Sequence, residues 1–191
     1  GIRDLGASML FQKGAMLVLI LMCGQAHADS PSPLQPLYPL LGEWRGVGEG
    51  KWGRSSAEAA YSVVLGGHFI EGRLRSVYPS QSANPNGETH RARDVFSYDQ
   101  ARQRLVLRQF DNEGFVTTYY QNVSAGNATR LVFEAEHLEN IPTGWGARMT
   151  FEFMENRERT VSFDLDTGSG RGFERYLVNQ LVRIDKAAGE S

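Results

Sequence analysis

Gly42-Glu43-Trp44-Arg45-Gly46-Val47-Gly48-Glu49-Gly50-Lys51-Trp52 is the stretch that decides the fold. Its even positions hold Gly, Trp, Gly, Gly, Gly and Trp, and its odd positions hold Glu, Arg, Val, Glu and Lys. A strand turns successive side chains to opposite faces, so one face is charged and wet while the other carries only glycine and tryptophan. That pattern fits the first strand of a barrel whose inner face is half empty. Space inside a closed sheet is where a small ligand sits.

Working outward, alternating segments recur every 10 to 15 residues, and the spacing predicts strands at 42–52, 58–65, 67–78, 89–98, 103–110, 114–122, 129–138, 145–155, 158–166 and 172–184. Turn chemistry separates them, as at Leu65-Gly66-Gly67, Asn84-Pro85-Asn86-Gly87, Asp111-Asn112-Glu113-Gly114 and Pro142-Thr143-Gly144. No stretch after residue 41 sustains a helical period. Ten short strands without crossover helices imply an all-β antiparallel meander, and closing it into a single barrel over 42–184 removes its edges. Parity assigns an inside to most strands: Ile70, Gly72 and Leu74; Leu131, Phe133 and Ala135; Ala147, Met149, Phe151 and Phe153; Val161, Phe163 and Leu165. The segments 103–110 and 114–122 show no clear inside.

The ends differ in character. Lys13, the apolar run Ala15 to Cys23 and the small-x-small triplet Ala26-His27-Ala28 read as residues of an export signal, cleaved before Asp29. The run is too short for a permanent membrane span, so the expected location is periplasmic or secreted. The one cysteine, Cys23, follows the bulky Met22, which disfavours lipidation, and the mature chain then has neither disulfide nor thiolate chemistry. Residues 29–41 form a proline-punctuated lead-in whose apolar second half suits a short helical plug, and residues 185–191 form a polar tail. The chain has 191 residues, 41% hydrophobic content and a formal net charge of −2, a composition for one domain with a real core. Scattered arginines without a basic tract give no reason to expect nucleic acid.

The run Leu40-Leu41-Gly42-Glu43-Trp44-Arg45-Gly46-Val47-Gly48 resembles the opening of the nitrobindin-like haem-binding barrels. Leu65-Gly66-Gly67-His68-Phe69-Ile70-Glu71-Gly72 and Phe96-Ser97-Tyr98-Asp99 resemble a related bacterial lipocalin-like family of unknown function. The resemblance covers residues 37–184 and implies a lipocalin-like, fatty-acid-binding-protein-like barrel. It also implies that Arg183 on the last strand stacks on Trp44 and closes the base, a planar, weakly hydrated cation over an indole face. Fatty-acid-binding proteins hold a carboxylate with an Arg-x-Tyr pair, whereas here Arg175 and Tyr176 are adjacent. Nitrobindin-like proteins ligate haem through a histidine near the C-terminal end, and no histidine follows His137. The expected cofactor set is therefore empty, with haem as the alternative.

Candidate anchors follow from parity. His68 and His137 fall on the inward face, and His90 joins them if Phe96 and Tyr98 point in; without paired spacing no metal site is expected. If Arg183 points inward, so do Asn179 and Arg175, which are even steps away. An inward Arg costs several kcal/mol unless it meets an anion, so it is either a ligand hook or half of an internal ion pair, with Asp94 a possible partner. A bulge would reset this parity. Tyr119 or Tyr120 donates a hydroxyl beside it, and Phe133, Met149, Phe151 and Phe163 supply apolar walls. The glycines of Gly48-Glu49-Gly50-Lys51-Trp52-Gly53 lie along a strand with no helix after them, so they bind no dinucleotide. The expectation is an exported barrel for a small hydrophobic or amphipathic ligand held by His68, Arg175, Asn179 and Tyr119. The alternatives are haem chemistry, base catalysis by His68, or a packed envelope barrel that serves as an interaction protein.

Overall fold

The structure, a computed structural model, describes residues 31–155 and 157–184, so the residues read as an export signal, Cys23 among them, and the C-terminal tail lie outside the described residues. The ten strands are β1 (Gly42–Gly50), β2 (Gly53–Val64), β3 (Phe69–Tyr78), β4 (Glu88–Asp99), β5 (Arg104–Asp111), β6 (Val116–Gln121), β7 (Arg130–Glu139), β8 (Gly146–Phe153), β9 (Glu158–Asp166) and β10 (Glu174–Ile184). Each pairs antiparallel with its sequence neighbours, and β10 pairs with β1 to close the barrel. The architecture is consistent with a lipocalin-like barrel. Among the described residues no helix is long and apolar enough to cross a membrane. The outward positions of β1 to β4 carry Arg45, Glu49, Glu58, Glu71, Arg73 and Arg93, which is unlike the apolar belt of a lipid-facing barrel wall.

The two ends of the barrel are built differently. Beneath the first turns of β1 a 3-10 helix, Gln35–Leu40, seals the base, with Pro36 in its first turn. Leu34, Leu37 and Leu40 are buried completely or nearly so, and each full burial stabilises by about 1.5–3 kcal/mol. The Trp44 indole N–H donates to the Leu40 carbonyl at 2.7 Å, and Arg183 Nη2 donates to the Pro39 carbonyl at 2.9 Å, which fixes the plug to both seam strands. Above it, Phe96, Phe133 and Phe151 pack edge to face with centroids 5.7–5.9 Å apart. These rings are fully buried and fill the closed half rather than lining a void. Toward the other end the inward residues Leu74, Leu138, Phe163 and Leu165 are only partly buried, so that half is less fully covered.

The inward glycines do not leave the empty face that their sequence suggests. At Gly72 a Cβ would overlap the Tyr61 ring, which lies flush on the bare backbone. At Gly48 the niche is taken by Asn179 Oδ1, Ser55 Oγ and Leu177, and at Gly46 the backbone of Gln180 approaches too closely for any side chain. Glycine here admits neighbours and close strand approach.

Two bulges break the plain alternation. On β7 Thr118 faces His137 while Tyr119 faces Ala135, so Glu136 is the extra residue and everything beyond it changes face. On β10 Arg175 pairs with Asp164 and Leu177 with Phe163, which inserts Tyr176.

Candidate ligand-anchoring site

Arg159 is the residue around which the interior is organised. It follows the inward parity of Val161, Phe163 and Leu165 on β9, is 1% exposed, and none of its three guanidinium nitrogens makes a hydrogen bond of good geometry among the described residues, although the Tyr61 hydroxyl and the Asp94 carboxyl both act on its charge. Its Cζ lies 4.2 Å from the Trp44 ring and 4.9 Å from the Tyr61 ring, while Arg183 lies 4.9 Å from the same indole. Aromatic faces attract the two cations without satisfying their N–H donors, and Arg183 Nε is likewise buried and unpartnered. Burial lowers the Arg159 pKa from its ordinary value; even so, a guanidinium stays protonated in proteins.

The polar groups above Arg159 form a seam across β2, β4 and β5. Asp94 is wholly buried, accepts from the Tyr61 hydroxyl at 3.0 Å and from Gln109 Nε2 at 2.9 Å, and has its pKa pushed up to about 6 by desolvation. Burial, followed by the charge of Asp94, raises the Tyr61 hydroxyl well above its usual range. The interior thus holds a buried cation, a buried carboxyl whose charged form burial disfavours and Arg159 favours, and guanidinium donors without well-placed acceptors.

The residues singled out from the sequence distribute unevenly. Tyr119 faces inward at 1% exposure, and burial raises its hydroxyl pKa. Asn179 faces inward on β10, and its Oδ1 is buried without a partner beside Ser55 Oγ in the Gly48 niche. Trp44 and Arg183 are paired across the β1–β10 seam. Three positions need correction. His68 is exposed in the β2–β3 turn, where Gly66 and Gly67 at φ 68 and 89 delay the strand until Phe69. Arg175 is turned outward by the β10 bulge, and with Arg148 it grips Asp164, at 2.5 Å and 3.0 Å respectively. His137 is turned outward by the Glu136 bulge and is 70% exposed. Asp94 lies inside but has no contact with Arg175. Arg159 was legible from the parity of its own strand, had the inward face of Val161 and Phe163 been extended one step toward the N-terminus.

One cluster among the described residues brings potential metal ligands together. Glu88, His90 and Glu113 cluster at the mouth, where Glu88 meets His90 Nε2 at 3.2 Å while Glu113 meets Nδ1 at 3.4 Å. One ligand atom from each of the three side chains lies within 4.8 Å of the other two, in a cluster that is half-buried to exposed. His90 is also the one histidine among the described residues that faces inward. Compared with protein-family models and with curated proteins, the sequence matches none at a significant level.

Proposed function

We propose that this chain is an exported binding barrel for a small amphipathic anion, whose acidic group meets Arg159 while its apolar part lies against the partly covered apolar side chains toward the mouth. One observation carries the reading: a guanidinium at 1% exposure whose three nitrogens find no hydrogen bond of good geometry among the described residues. Burying an unpaired charge costs several kcal/mol, which an incoming carboxylate, sulfonate or phosphate offsets through charge-assisted, bidentate hydrogen bonds. Asn179 and Ser55 supply further unpartnered polar atoms on the wall, and Leu74, Leu138, Phe163 and Leu165 supply apolar surface above the seam.

Native mass spectrometry of the purified barrel incubated with dodecanoate tests the proposal. The expected result is a 1:1 complex, depleted at least tenfold in Arg159→Met and partly retained in Arg159→Lys. Circular dichroism on both variants separates loss of binding from loss of fold. Equal complex formation by wild type and a folded Arg159→Met would contradict the assignment.

A further inference from the structure

The outer wall of the barrel carries a second constellation, independent of the interior. Across the β3–β4 ladder Arg73 stands directly opposite Arg93, and Arg75 directly opposite Arg91. Directly opposed like charges destabilise a sheet, and these two rungs lie on the same face about 7 Å apart along the strands. Arginine cannot relieve the repulsion by losing its proton. Only two carboxylates serve the block. Glu71 is shared by Arg73, at 3.7 Å, and Arg93, while Glu58 is shared by Arg75, at 3.6 Å, and Arg45, at 3.4 Å. Arg91 is exposed and makes no ion pair with the described residues. Between these side chains runs a groove of about 600 Å³ with Ala60 in its floor and the exposed Phe110 at its edge.

We propose that this groove binds a small soluble molecule carrying two or more phosphate or sulfate groups. Each opposed arginine pair presents two planar forks to one tetrahedral oxyanion, and the second rung receives the second group. Binding converts two repulsive rungs into bridged ones, so the unliganded protein retains a destabilising surface feature that the ligand removes. The lining is rich in arginine: Arg45, Arg73, Arg75, Arg91 and Arg93 face the carboxylates of Glu43, Glu58 and Asp111, with Glu71 beside them, in a chain whose formal net charge is −2.

Inorganic tripolyphosphate, long enough to reach both rungs, is the probe, titrated calorimetrically into the folded barrel at 0.15 M salt. Saturable one-site binding is expected, with inorganic phosphate at least tenfold weaker. The double variant Arg91→Gln/Arg93→Gln should lose at least tenfold in affinity while melting, without ligand, at the same temperature as wild type or higher. That apo melting temperature shows that the variant folds. Tripolyphosphate should raise the melting temperature of wild type and leave the variant unmoved. Arg130→Gln, on the outer face of β7, should bind like wild type. Absence of saturable binding, equal binding by the double variant, or an equal loss in Arg130→Gln would each overturn the proposal. So would sedimentation with phosphatidylglycerol vesicles by a protein that ignores tripolyphosphate in solution, since the surface would then be a membrane dock.

Discussion

Asp94 shows how one buried group writes itself into the behaviour of the protein. Its folded-state pKa of about 6 stands above the ordinary 3.8 because burial penalises the carboxylate more than Gln109, Tyr61 and Arg159 favour it. Below about pH 4 both folded and unfolded chains hold the proton, and the buried acid carries no electrostatic cost. Between about 4 and 6 the unfolded chain gives up its proton first, so this group's contribution falls as pH rises, by roughly 3 kcal/mol in all. In Asp94→Asn the amide oxygen still accepts from Tyr61, and Gln109 can present its own oxygen to the amide. Urea unfolding at pH 4 and pH 7 should therefore show wild type losing stability relative to Asp94→Asn over that interval, and parallel pH profiles would contradict the assignment. Gly72 is a second residue with a fixed consequence. Because the Tyr61 ring occupies the place of a Cβ, Gly72→Ala should destabilise by about 1–3 kcal/mol, read as a lower urea midpoint with unchanged slope. A neutral effect would mean that Tyr61 is not held against β3.

Among the elements, the 3-10 plug is the one whose removal should cost most per residue. Leu37 is fully enclosed beneath the barrel, so Leu37→Ala should lower stability by about 2–5 kcal/mol in thermal or urea melts, and a change within error would mean that the plug is not docked. The ten strands were legible in the sequence because most have one wet face, and the period of two survives from Gly42 to Ile184 wherever that holds. It failed on β5, where Leu105, Val106 and Leu107 are all buried. Val106 faces outward beside Tyr120, whose ring is covered by Arg102 at 4.2 Å, so both faces of the strand read as apolar. The candidate site was read less well than the fold. A single extra residue reverses every later side chain on its strand, and nothing in Ala135-Glu136-His137 or Arg175-Tyr176-Leu177 announces a bulge. His137 and Arg175 were misplaced for that reason. His68 was misplaced because the Gly66-Gly67 turn runs two residues longer than alternation implies.

At the scale of the whole molecule, the barrel divides into a sealed half and a receiving half. The plug, the phenylalanine triad and the Trp44 stack fix the base, which gives Arg159 a rigid place. The mouth leaves apolar inward side chains only partly covered. Once the rings of the triad part to admit it, a molecule with an acid at one end and a hydrocarbon at the other matches the cation below them and the partly covered apolar side chains above. That claim separates cleanly from generic hydrophobic uptake, which ignores charge. The direct measurement is a calorimetric comparison of dodecanoate and dodecanol, equal in chain length, titrated into the same wild-type barrel. The account predicts saturable 1:1 binding of dodecanoate at least tenfold tighter than dodecanol. Equal affinity for the two, or no binding of either, would contradict it.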